Sequence, residues 1–249
     1  MEYSVTEYNK RGIDCAKLKN YEMAVFYFEK AIELDKNNAI LYFNIGLAYS
    51  ESKNYSQAIL NYSKAIELNP NYEDAYYNRG IVYKDIQKYG KAFEDYTQAI
   101  KLNPNNAIYY NNRGIVLKKT INLQAAIDDY TKAIELNPNY AEAYFNRGNV
   151  YSYRNNYLKS YSQAIADYTQ AINLNPNFAS AYQGRGLCYK AIGRNSEAEK
   201  DFAKATELGY NGWNFCKKTS TEKFLSEFFP WKLPPDFILL NFSTSTNFP

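Results

Sequence analysis

Small and aromatic residues recur at helical steps along most of the chain. Tyr76, Gly80 and Tyr83 stand four and three residues apart, and Ala92, Tyr96 and Ala99 repeat those steps one segment later. Such spacing puts each set on one face of a helix. The doublet then returns. The stretch Tyr76 to Tyr83 reappears, slightly altered, at Tyr110 to Leu117, Tyr144 to Tyr151 and Tyr182 to Tyr189, with a looser copy at Tyr42 to Tyr49. Gly46, Gly80, Gly114 and Gly148 follow one another at 34-residue intervals. A fixed period of this length predicts a stack of like units, in which no single helix pair buries its apolar face alone. Six two-helix units are expected, at 5–38, 39–72, 73–106, 107–140, 141–178 and 179–212. Pro70, Pro104, Pro138 and Pro176, each after an asparagine, would stop the second helix.

The departures from the period are at the ends and in the fifth unit. Lys36 stands where the first unit would have its proline, and Gly209-Tyr210 closes the sixth, where a glycine cap replaces the proline stop. Unit five carries four extra residues, Tyr157 to Ser160, which is close to one helical turn; a longer helix and a longer loop both fit. After Asn211 the period is lost. Thr219 and Glu222 form a candidate capping box, so 213–229 is expected to hold a capping helix over the last unit. The remainder, 230–249, reads as an irregular tail too apolar to be solvated, packing on the body or on a partner.

The order large residue, Gly, aromatic, Ala, aromatic, Ala, Pro resembles the tetratricopeptide repeat. Tyr76, Gly80, Tyr83, Ala92, Tyr96, Ala99 and Pro104 carry it in one unit, and Tyr110, Gly114, Leu117, Ala126, Tyr130, Ala133 and Pro138 in the next. The resemblance implies an all-α solenoid, a right-handed α-α superhelix of about six units, with first helices lining a concave groove and second helices outside.

Composition narrows the chemistry. Lys and Arg number 29 against 26 Asp and Glu, a balance too even and too dispersed to argue for nucleic acid or an anionic membrane. There is no histidine, which removes the commonest general base and the commonest metal ligand together. Cys15, Cys188 and Cys216 form no CxxC pair, and Cys188 replaces Val82, Val116 and Val150 of other units, so a small core residue is expected there. The start, Met1-Glu2-Tyr3-Ser4, is not a signal peptide, and no apolar run approaches the roughly 20 residues of a membrane span; a cytoplasmic location is expected. No nucleophile with a base, phosphate loop or metal set is present, and paired acids such as Glu94-Asp95 recur with the repeat as helix faces, so neither an enzyme nor a cofactor is expected.

Two sets of polar residues invite a functional reading. Asn44, Asn78, Asn112 and Asn146 hold one place in four successive units. The resemblance turns that face into the groove, where a row of amides would pair with an extended peptide backbone, as in the asparagine ladder of some peptide-binding members. Phe43, Tyr77, Asn111 and Phe145 precede them, and Leu47, Ile81, Ile115 and Asn149 follow one turn on; these would frame side-chain pockets. Bonding of each Asn within its own unit or to the next is the plainer alternative. Arg79, Arg113, Arg147 and Arg185 precede the glycines, while Asp95, Asp129 and Asp167 share a place in the second helices. Matching each acid with the arginine of the following unit (Asp95 with Arg113, Asp129 with Arg147, Asp167 with Arg185) predicts an inter-unit ion-pair ladder. Pairing inside a unit is the alternative, because Asp201 stands with Arg185.

The expected function is a non-catalytic scaffold binding a protein or peptide segment in the groove. A second reading is an architectural array that self-associates, with the tail as the contact. A third is a co-chaperone-like receptor of a chaperone tail, which would need groove lysines where this chain has Asn9, Asp74, Ile108 and Glu142, with only Asn44 of the clamp kept.

Overall fold

The computed structural model describes residues 3–153 and 160–210. The expected capping helix, the tail and Cys216 lie outside them, as do most of the extra residues of unit five. The described residues form twelve α-helices and no strand. They are α1 (Val5–Lys17), α2 (Tyr21–Leu34), α3 (Ala39–Glu51), α4 (Tyr55–Leu68), α5 (Glu73–Asp85), α6 (Tyr89–Leu102), α7 (Ala107–Lys119), α8 (Leu123–Leu136), α9 (Ala141–Tyr151), α10 (Tyr161–Leu174), α11 (Ala179–Ala191) and α12 (Asn195–Glu207). Each odd helix packs on the even one after it. Between pairs, the even helix meets the next odd one, and odd helices also approach one another, α1 with α3, α3 with α5 and α7 with α9. The odd helices are therefore the closer-set row, which makes theirs the inner face of a superhelix.

Within a pair the turn is tight. After α1, α3, α5 and α7 the chain passes through Lys19, Lys53, Gln87 and Ile121, all at φ near +60°, and after α11 through Gly193 at φ +82°. The backbone N–H of the next residue then reaches back to the helix, as Asn20 does to the Cys15 carbonyl at 3.0 Å and Asn122 to Leu117 at 2.9 Å. Asn20 and Asn54 also cap the helices they precede, accepting from the N–H groups of Met23 and Gln57.

Between pairs the stop is an asparagine device as much as a proline one. Asn69, Asn103, Asn137 and Asn175 are extended, as residues before proline must be. Each Oδ1 accepts from the N–H two residues on, at 3.0–3.3 Å. Asp35 makes the same bond to the N–H of Asn37, so the first pair closes without a proline. The last pair ends on Gly209 at φ +83°. In the fifth, α9 stops at Tyr151 and α10 starts at Tyr161 with Ser160 as its cap.

The core is a column of rings seated on glycines. Tyr62, Tyr96, Tyr130 and Tyr168 are 0–1% exposed, and Phe28 takes that place in the first pair. A Cβ on Gly80 would lie 2.8 Å from Cε1 of Tyr96, which is why only glycine lets the two helices close on the ring. Alanines fill the remaining contact, Ala58, Ala65, Ala92, Ala99, Ala126 and Ala133 all being fully buried. Cys188 is 1% exposed and burial pushes its thiol up to about 12, an inert core residue.

Candidate functional site

The arginines are set inside their own helix pairs, and this corrects the inter-unit ion-pair ladder. Arg79 holds Asp95 through Nε at 2.8 Å and Nη2 at 2.7 Å. Arg113 holds Asp129, Arg147 holds Asp167 and Arg185 holds Asp201 in the same two-pronged way. The aspartates are 4–6% exposed. Burial pushes the Asp95 and Asp167 carboxyls up, against the pull of their arginines. The remaining nitrogen, Nη1, does cross to the preceding pair, but it meets a hydroxyl there: Ser63 from Arg79, Thr97 from Arg113, Thr131 from Arg147 and Thr169 from Arg185, at 2.8–3.3 Å. These arginines belong to the scaffold.

The four asparagines lie half-buried on the inner helices α3, α5, α7 and α9. Each spends its Nδ2 on the scaffold. Asn44 donates to Asn9 Oδ1 at 2.9 Å, and Asn146 to Asn111 Oδ1 at 3.0 Å. Asn112 donates to Tyr77 Oη at 3.3 Å and to the Ile108 carbonyl at 3.0 Å. Asn78 reaches only the Asp74 carbonyl of its own helix, at 2.8 Å. The rule behind these choices is the residue 35 positions earlier. Where it has a polar tip (Asn9, Tyr77, Asn111) the amide crosses to it, and where it is Phe43 the amide falls back on its own turn. After Phe145 the equivalent place is Gly184, where a Cβ would lie 2.7 Å from Cζ of Tyr168. Among the described residues no donor reaches the Oδ1 of Asn44, Asn78, Asn112 or Asn146. A carbonyl partner can only take the NH2 side, so for Asn78 and Asn112 the geometry itself puts the acceptor outward.

The flanking residues are half-buried packers with one face left over. Phe43 stacks on Tyr72 and Tyr62, Tyr77 on Tyr109 and Tyr96, and Phe145 on Phe178 and Tyr168, with ring centroids 4.8–5.9 Å apart. Leu47, Ile81 and Ile115 lean on neighbouring core clusters. Asn111 and Asn149 do not frame pockets. Asn111 is 4% exposed and bridges Asn146 to Tyr140, and Asn149 accepts from the Tyr168 hydroxyl at 2.8 Å. The inner face is electrically mixed: burial raises the Asp74 carboxyl, with Glu73 adding to it, and lowers the Lys118 ammonium, with Lys119 adding to that. Among the described residues no group of three His, Cys, Asp or Glu converges on a metal-sized site, and no helix is long and apolar enough to cross a membrane.

One feature of this face escaped the sequence pattern. Between α1 and α3 lies an open cleft of about 460 Å3 that includes Asn44 and Leu47 together with Ile13, Ala16 and Phe28. Its signal in the sequence was Ala16, where the other units have Ser50, Lys84, Lys118, Ser152 and Lys190.

Family models agree with this architecture. Models described as TPR repeat and tetratricopeptide repeat match residues 5–38, 48–87, 73–106, 122–152 and 156–208, and a further one matches 27–59. The chain belongs to the tetratricopeptide repeat family, an all-α superhelix that serves as a scaffold for protein–protein interaction. Among solved structures, MamA is 32% identical over 68% of this chain and 97% of its own, with a TM-score of 0.61. YrrB, described as a TPR protein with an unusual peptide-binding site, is 27% identical over 77% of this chain and 98% of its own, with a TM-score of 0.62. PilF of Pseudomonas aeruginosa, at 17% identity and a TM-score of 0.72 over 86% of this chain and 95% of its own, shares the fold. No curated protein matches the chain.

Proposed function

We propose that this chain is a non-catalytic adaptor that holds an extended segment of a partner protein against its inner face. The observation that carries this reading is the row of four Oδ1 atoms without donors, on Asn44, Asn78, Asn112 and Asn146, set by amides whose NH2 groups are already engaged. Such a row accepts from peptide N–H groups whatever side chains they carry. Its polarity is one-sided: the scaffold takes the donors, and the ligand must supply its own. Hydrogen bonds contribute about 1 kcal/mol each, so four rungs fall well short of the roughly 8 kcal/mol of a micromolar complex. The remainder comes from apolar contact with the free faces of Phe43, Tyr77, Phe145, Leu47, Ile81 and Ile115. The likeness to YrrB, itself described by its peptide-binding site, supports the same reading.

The test is selection of peptides from a random end-blocked library on the intact chain, followed by fluorescence polarisation of the best peptide. Asn78→Ala with Asn112→Ala is expected to weaken it about tenfold or more, with circular dichroism unchanged. Unaltered affinity in a folded double variant would move binding away from the asparagine row.

A further inference from the structure

The first helix pair differs from the middle ones at two positions that meet. The column of Tyr62, Tyr96, Tyr130 and Tyr168 begins with Phe28, which has no hydroxyl. The row Ser50, Lys84 and Lys118, in the last turn of α3, α5 and α7, begins with Ala16. Both changes shorten a side chain on the same side of α1, and both residues line the 460 Å3 cleft. A volume of that size lies in the range of small-ligand pockets, about 300–1,000 Å3. The walls are apolar: Ile13, Ala16, Phe28, Leu47 and Ala48. Ile13 is 36% exposed, so the cleft opens to solvent, while the Phe28 ring at 1% forms its floor. With phenylalanine there, filling the cleft strips water from no buried hydroxyl. Asn44, the first rung of the row, stands in the same wall. A side-chain pocket thus adjoins a backbone acceptor, the two features an extended peptide needs at one residue.

The rim carries charge. Lys17, Lys19 and Glu51 line the opening. Lys17 lies 3.6 Å from Asp14 with its side chain 73% exposed, and Lys19 has no ion-pair partner among the described residues.

We propose that this cleft takes one large apolar side chain, aromatic or leucine-like, from the partner peptide, next to a carboxylate-bearing residue. The proposal rests on the groove reading above and adds the selectivity that a row of amides lacks. The peptide N–H nearest the seated side chain donates to Asn44 Oδ1, and the neighbouring carboxylate lies by Lys17 and Lys19.

The test uses the selected peptide, fluorescein-labelled, and its version with alanine at the seated residue. Selection on the wild-type chain should return a large apolar residue beside Asp or Glu. The alanine peptide should bind about tenfold or more weakly, and so should the wild-type peptide on Ala16→Leu, which fills the cleft. Ala16→Leu touches packing, so Ile13→Asp, at an exposed wall position, is the second variant and should weaken binding likewise without lowering the urea midpoint. Lys17→Gln with Lys19→Gln should reduce the salt dependence of binding. Loss of binding in Asn78→Ala with Asn112→Ala, and none in either cleft variant, overturns the cleft and leaves the groove reading standing. Loss in the cleft variants with none in Asn78→Ala with Asn112→Ala overturns the groove reading instead. A tenfold gain in peptide affinity on deleting residues 211–249 would make the chain's own C-terminal segment the occupant and overturn the assignment to a partner.

Discussion

At the scale of single residues, the repeated Tyr-Asn-Arg-Gly stretch divides its work by what each side chain touches. The glycine admits a ring. Gly80→Ala puts a Cβ 2.8 Å from the buried Tyr96 ring, which has nowhere to go, and is expected to cost about 1–3 kcal/mol. Gly90→Ala, on a helix surface with nothing within 4 Å, is expected to be neutral or to gain up to about 1 kcal/mol. Urea denaturation of the two variants separates a glycine needed for space from one that is not. The asparagines divide too. Asn112→Ala loses the bond across to Tyr77 and should lower stability by about 1 kcal/mol, whereas Asn78→Ala loses only a bond within its own turn and should change stability less. Equal losses in the two melts would contradict that division. The row of asparagines was legible in the sequence because four units repeat it. Their partners were not, since contact with Asn9, Tyr77 or Asn111 depends on how far one unit rotates over the next.

At the scale of elements, the helices were readable from their period and their stops, and the ion pairs were not. In a strict repeat, an acid paired with its own unit's arginine and one paired with the next unit's leave the same pattern. Only an end breaks the tie: Asp201 has no following arginine of that series and pairs with Arg185 of its own unit. The hydroxyls of Ser63, Thr97, Thr131 and Thr169, which take the arginines' third bond, carry no charge that would mark them in the sequence. A double-mutant cycle on Arg147 with Asp167 should give a coupling of about 1–3 kcal/mol in urea unfolding, and a cycle with Asp129 close to none. A larger coupling to Asp129 would restore the inter-unit ladder. The turns offer a second test. Ile121 is a β-branched residue at φ +62° and 73% exposed, where the last pair has Gly193. Ile121→Gly relieves the left-handed strain at no packing cost, so a stabilisation of about 1 kcal/mol is expected; a lower denaturation midpoint would refute it.

At the scale of the whole molecule, stability is spread along one column of rings, and that column titrates. Burial raises the Tyr62, Tyr96, Tyr130 and Tyr168 hydroxyls well above the ordinary tyrosine value and Tyr140 to about 12. Above pH 10 the unfolded chain releases these protons while the native one keeps them. Stability therefore falls as pH rises, by about 1.4 kcal/mol per pH unit for each fully raised tyrosine. The urea midpoint is expected to hold steady below pH 9 and to drop steeply between pH 10 and 11.5. A flat profile there would mean that the hydroxyls are not shielded. At the start of that column Phe28 carries no hydroxyl, and Ala16 beside it lines the open cleft proposed to seat a side chain. Under the proposed function, the work at this scale falls to the inner face, where the half-buried amides of Asn44, Asn78, Asn112 and Asn146 would offer their oxygens to a bound segment.

That claim is tested most directly on the ligand's backbone. The selected peptide is synthesised with single N-methyl groups at successive residues, which remove one N–H each and leave every side chain in place, and each version is titrated against the intact chain. The account predicts that N-methylation weakens binding at the residues facing Asn44, Asn78, Asn112 and Asn146. It also predicts that the penalty at the rung facing Asn78 disappears in Asn78→Ala. Uniform tolerance of N-methylation, with affinity still set by the side chains, would contradict it.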